Sequence, residues 1–125
     1  MLSVLMMVAV LSVMVFFSLI IAPMLFSTLS ATYAGAFVRK FFPRYYLILG
    51  LVSLLTGLIA TDATVAGIGF ACAVLFLLSL FLTPAINRAS DRHDKRQFAL
   101  LHGGSVLISL LQMGLLLWGI LRLSW

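Results

Sequence analysis

Charge is what this sequence has least of. Lys, Arg, Asp and Glu make up 9% of the 125 residues, 64% are hydrophobic, and mean hydropathy is +1.25. Soluble domains carry about 25% charged residues. So few polar groups cannot cover so much apolar surface in water, which excludes a soluble globular domain. Cysteine is nearly absent as well. The single Cys72 excludes an intramolecular disulfide and a cysteine-rich metal site, and its setting among Gly and Ala reads as packing. The amino terminus lacks the basic stretch of a signal peptide. Its apolar run far exceeds the about 7–15 residues of a signal core, so it reads as a retained first span, although "AGA" at 34–36 looks like a small-residue cleavage site.

What remains is apolar sequence in long pieces. Residues 1–38, 45–61, 63–87 and 97–121 contain no Lys, Arg, Asp or Glu. A membrane-spanning helix needs about 20 mostly apolar residues. The sequence therefore predicts an all-α integral membrane protein, a single four-helix transmembrane bundle with spans near 2–22, 45–61, 63–86 and 97–121. Pro23 should kink or stop the first helix and Pro43 should break the chain again, because each removes a backbone donor. Between them, a short helix over about 28–42, capped by Thr28 or Ser30 and carrying Phe37 and Phe41, is expected to lie in the headgroup region. The competing reading is a first helix that continues, tilted. Asp62 is expected to cap the third helix, which runs to Pro84 or on to Ala89, and Asp91 or Asp94 to open the fourth.

The basic residues orient the chain. Arg39, Lys40 and Arg44 precede span 2, and Arg88, Arg92, Lys95 and Arg96 join spans 3 and 4. In an even-numbered bundle these connections share a face, which the positive-inside rule places in the cytoplasm, with both termini outside. A bacterial inner membrane is the expected location. Tyr45 and Tyr46 mark one interface, and Trp118 and Trp125 the other. Cations beside spans attract anionic lipid headgroups at about 1 kcal/mol each. The bilayer and its anionic headgroups are thus the expected partners, with a homo-oligomer as a further option and no nucleic acid.

Polar residues recur inside the spans at helical spacing. The fourth helix carries His102, Ser105, Ser109 and Gln112, the third Cys72, Phe76, Ser79, Thr83 and Asn87, and the second Gly50, Ser53 and Gly57. Ala63, Gly67 and Ala71 form another small-residue line. Such stripes serve first to pack helices, which small residues let approach closely in lipid. The alternative is a polar cleft open to the cytoplasm. Gln112, a large amide deep in a span, needs a partner. His102 is expected to bond to a group such as Asn87 or Thr83. Asp91 is expected to pair locally with Arg88 and Lys95. Met7 and Met14 share a face and read as core.

"APMLFSTL", "AGAFVRKFFPRYY", "LTPAINRASDR" and "RQFALLHGGSV" together resemble the transmembrane protein 205-like family, four-helix membrane proteins catalogued as a domain of unknown function. The pattern covers nearly the whole chain, through Pro23, Gly35, Pro43, Tyr46, Pro84, Asn87, Arg92, Phe98, His102 and Ser105. The family pattern has an Asn further along the fourth helix, where this chain offers Ser109 and Gln112. The resemblance implies a small integral membrane protein and no particular reaction. Small multidrug exporters resemble the chain in size, but residues 1–38 lack the acid they use, and fluoride-channel filter motifs are absent.

The expected function is non-enzymatic: a cytoplasmic-side polar pocket for a small ligand or lipid headgroup. His102, Ser105, Asn87, Arg88, Arg92, Arg39, Arg44 and Tyr46 are the candidate ligand-binding residues, and Ser109 and Gln112 continue the stripe. A small oligomeric transporter or channel is the alternative, and a haem-linked redox protein the second. No intramembrane acid serves as a general base, so no catalytic residues, metal or cofactor are assigned. Haem needs an axial ligand and a large apolar cleft. His102 supplies a single ligand per chain, because His93 lies in the charged connection.

Overall fold

The computed structural model describes residues 2–124, and the side chains of residues 2–122; Trp125 lies outside the described residues. Four helices fill nearly all of it: α1 (Leu2–Thr28), α2 (Ala31–Ile59), α3 (Ala63–Asp91) and α4 (Lys95–Ser124). All are long and apolar enough to cross a membrane, and the chain is read as an integral membrane protein on that ground. At about 1.5 Å per residue each helix reaches roughly 40 Å, beyond the about 30 Å hydrocarbon core. Charged ends of the helices therefore project past the apolar spans.

The helices neighbour one another as α1–α2, α2–α3, α3–α4 and α4–α1, a closed antiparallel ring. Its core runs through Met7, Val10, Met14 and Phe17 of α1, Tyr45, Tyr46 and Leu49 of α2, Val65, Ile68, Cys72 and Phe76 of α3, and Leu116 of α4. Met7 and Met14 are thus core, as expected. The start of α1 and the end of α4 lie at the end opposite the basic connections.

The prolines behave differently from expectation. Pro43 sits inside α2 without breaking it, and Pro84 inside α3. No separate helix occupies 28–42; most of that stretch is the first half of α2. A two-residue break, Leu29 and Ser30, separates it from α1. In lipid, neighbouring helices and local adjustments satisfy the carbonyl a proline leaves free. Ser30 is the cap, accepting from the Tyr33 N–H at 3.5 Å. Pro23 does not end α1 either. The helix widens into a π turn over Phe17–Ile21 just before it, with the Ala22 N–H donating to the Phe17 carbonyl. This loosened turn accommodates the proline ring, which otherwise collides with the carbonyl four residues back.

The other ends follow their capping residues. Asp62 accepts from the Thr64 N–H at 2.7 Å and opens α3. Asp94 accepts from the Gln97 N–H at 3.1 Å and opens α4. Between α3 and α4, His93 adopts φ 54°, the left-handed region. Its N–H donates to the Ser90 carbonyl at 3.1 Å, and the Asp94 N–H to the Ala89 carbonyl at 3.0 Å. This is a Schellman termination, with histidine where glycine is usual.

Candidate functional site

The antiparallel ring gathers Arg39, Lys40 and Arg44 of α2 and the turn from Arg88 to Arg96 at one end, seven of the chain's eight basic residues. Two acids, Asp91 and Asp94, accompany them. Asp94 is occupied as a cap. Arg39 reaches from α2 to α3 and forks onto Asp91: one guanidinium nitrogen donates to Oδ2 at 3.2 Å, and the other to Oδ1 and, at 3.4 Å, to the Asn87 carbonyl. It is the ion pair found among the described residues. Asp91 therefore pairs across helices rather than with Arg88 or Lys95; for Lys95 the helix end after Asp91 removes the i,i+4 spacing. The other six cations of this end have no acid within ion-pair distance among the described residues.

Below the charges lies an aromatic layer. Phe17 stacks on Phe41 with centroids 4.9 Å apart, Phe41 on Phe37 at 5.4 Å, and Phe42 on Tyr46 at 5.5 Å. Tyr45 closes against Phe17 at 5.3 Å. The Tyr46 hydroxyl faces the Ser105 hydroxyl of α4 at 3.5 Å, long for such a bond. Deeper, Gln112 is fully buried and its Nε2 donates to the Cys72 carbonyl of α3 at 3.2 Å. Gln112 Oε1 and the hydroxyls of Ser53 and Ser79 are buried without a partner among the described residues. Thr56 and Thr83 bond back to their own helices, at 2.9 Å to Val52 and 3.0 Å to Ser79.

The sequence-derived candidates separate into groups. Tyr46 and Ser105 meet, and Asn87 meets Arg39 through its carbonyl. The third-helix stripe holds: Cys72, Phe76, Ser79 and Thr83 are buried and Asn87 half-buried. Arg44, Arg88 and Arg92 are exposed. His102 is exposed too, stacked on Phe98 at 5.4 Å, and bonds to neither Asn87 nor Thr83. Ser105 and Gln112 are buried but Ser109 only half-buried, so the fourth-helix stripe is divided. The buried line of α4 passes through Ser105, Gln112 and Leu116, and at 100° per residue His102 lies roughly 60° from its centre. Ala63, Gly67 and Ala71 are exposed, and a Cβ at Gly67 would meet nothing within 4 Å. Sequence reasoning missed Gly69, where α2 and α3 come closest: a Cβ there would lie 2.5 Å from the Gly57 nitrogen. It also missed Arg39's partner.

Of the two hollows described, neither is lined by Asn87 or His102. A hollow of about 170 Å³ lies instead beside the α3–α4 turn, touching Ala89, His93, Lys95 and Phe98. Among the described residues no three His, Cys, Asp or Glu side chains gather as metal ligands would. The arrangement is a cationic shelf over an aromatic layer.

Residues 5–118 match the family described as a domain of unknown function, DUF4149. The chain belongs to that family. The DUF4149 match spans all four helices, so the basic end and the polar core both fall within it. Nothing in it links the chain to the transmembrane protein 205-like proteins. Neither a curated protein nor a solved structure matches the chain.

Proposed function

We propose that this DUF4149 protein is a non-enzymatic integral membrane protein whose basic end holds anionic groups, lipid headgroups or a small anionic ligand. The observation that carries this reading is the imbalance at that end, where six cations have no acid within ion-pair distance among the described residues. Cations at a membrane surface attract anionic lipid at about 1 kcal/mol each. The same charges favour a cytoplasmic position for this end by the positive-inside rule, with the termini outside, and the bacterial inner membrane as the location. Arg44, Arg88 and Arg92 present the charge, and His102 lies about two turns into α4. The shared sequence pattern favours kinship with the transmembrane protein 205-like proteins.

The test is competitive retention of phosphatidylglycerol over phosphatidylcholine by the purified protein, with inorganic phosphate as the free-anion arm. Arg88→Gln with Arg92→Gln should lower the anionic preference. A preference equal in wild type and double variant removes the support for this reading. A displacing effect of phosphate would identify a soluble anion rather than lipid.

A second reading, a small oligomeric transporter, draws on the buried unpartnered atoms of Ser53, Ser79 and Gln112. Proteoliposomes that pass no protons, halides, metals or cationic drugs would leave it without support. The haem reading requires a Soret band in the purified protein.

A further inference from the structure

An open groove of about 620 Å³ runs between α1 and α2 on the outside of the bundle. Val13, Phe16, Phe17 and Ile21 line it from α1, and Phe41 and Tyr45 from α2, so its surface is almost wholly apolar. It sits where α1 changes form. Up to Phe17 the helix buries Met7, Val10, Met14 and Phe17 at steps of three and four residues; past the π turn, Ala22–Thr28 buries nothing. The extra residue of the π turn rotates the contact face of α1 away, and the space beside it stands open.

Inside a bilayer such a space is not left empty, since its walls would forfeit their dispersion contacts. Its position names the filler. Arg44 comes three residues after Phe41 and one before Tyr45, so helical geometry sets it about 60° round α2 from Phe41, just outside the lining of the groove, and Lys40 lies one turn before it, about 40° further round. Both are exposed, and neither has an acid within ion-pair distance among the described residues. Its α1 wall, from Ser12 to Ile21, lies within the charge-free residues 1–38.

We infer that this groove is an acyl-chain site: it holds one chain of an anionic glycerophospholipid whose phosphate rests on Lys40 and Arg44. The inference rests on the anion-holding reading above and adds the lipid class, the place of the chain and two residues that select it. The chain supplies packing to Phe16, Phe17 and Phe41; the cations discriminate against zwitterionic lipids.

The experiment is native mass spectrometry of the full chain during stepwise delipidation, with dioleoyl phosphatidylglycerol, dioleoyl phosphatidylcholine and glycerol 3-phosphate as probes. Wild type should keep the anionic lipid longest and should not keep glycerol 3-phosphate. Lys40→Gln with Arg44→Gln should cut the preference over phosphatidylcholine about thirtyfold at low salt, the equivalent of about 1 kcal/mol per cation. Val13→Trp, at an exposed position, fills the groove and should lower retention of both lipids severalfold. Normal helicity and an unchanged melting point of that variant establish that it is folded. Retention by Val13→Trp equal to wild type, with the anionic preference intact, overturns the groove and spares the basic end. No preference in wild type overturns both. Equal retention of glycerol 3-phosphate overturns the acyl-chain site on wild-type protein alone, whether or not the variants fold.

Discussion

At the end of the bundle nearer the termini, Gly57 of α2 lies against Gly69 of α3, and Gly119 of α4 against Ile68 and Met7. At the basic end, stacked rings join α1 to α2 and one exposed arginine joins α2 to α3. The first is backbone close to backbone, the way helices gain contact where lipid already satisfies apolar surface. The second is made of side chains that can shift. The difference teaches where stability and where adaptability lie in so small a membrane protein. The tight end holds the helices in register, while the basic end has an open groove and uncompensated charge.

Substitution should break this contrast most at Gly69. A Cβ there would lie 2.5 Å from the Gly57 nitrogen and 2.9 Å from the Ser53 carbonyl oxygen, both backbone atoms that cannot swing aside. Gly69→Ala should destabilise the bundle by about 3 kcal/mol or more, read as reversible unfolding in mixed micelles. Gly119→Ala should cost less, about 1 kcal/mol, because its neighbours are the tip of Ile68 at 2.8 Å and the Met7 sulfur at 3.3 Å, which can repack. Equal losses at the two glycines would contradict the backbone argument.

Predictions at the basic end are smaller. His93→Gly should stabilise by about 0.5–1 kcal/mol, since glycine takes the left-handed conformation without the penalty histidine bears. A loss of stability there would mean that the imidazole itself is held. A double-mutant cycle on Arg39→Ala and Asp91→Ala should return a coupling of only about 0.2–1 kcal/mol, because the pair is 39% and 60% exposed. A coupling as large as the Gly69 effect would erase the distinction between the two ends.

Much of the architecture is legible in composition. Four charge-free runs and the charges between them specify four spans, and the short polar residues Ser30, Asp62 and Asp94 mark helix starts through their backbone bonds. The third-helix stripe was also legible, because Cys72, Phe76, Ser79 and Thr83 keep one face over three turns. Rotation about the helix axis was not. Gly67 and Gly69 are equally small, and only the partner helix decides that Gly69 faces Gly57 while Gly67 faces outward. His102 illustrates the same problem, since steps of three or four residues define a broad face and the histidine lies at its edge. Pro43 misled because its breaking effect belongs to helices in water, where no neighbouring helix supplies the missing bonds. Of the site, the charge imbalance was legible, but the Arg39–Asp91 contact depends on residues 52 apart brought together by the turn between α2 and α3.

Cys72 gains a meaning from where it stands. It is the single thiol in the chain, fully buried, with its own carbonyl taken by Gln112. It lies between the glycine contacts and the aromatic layer, so a thiol reagent meets it only when α3 and α4 part. The rate at which the untouched wild-type chain is labelled therefore counts openings of the bundle, and changing the lipid around the protein should slow or quicken that clock without any engineered probe.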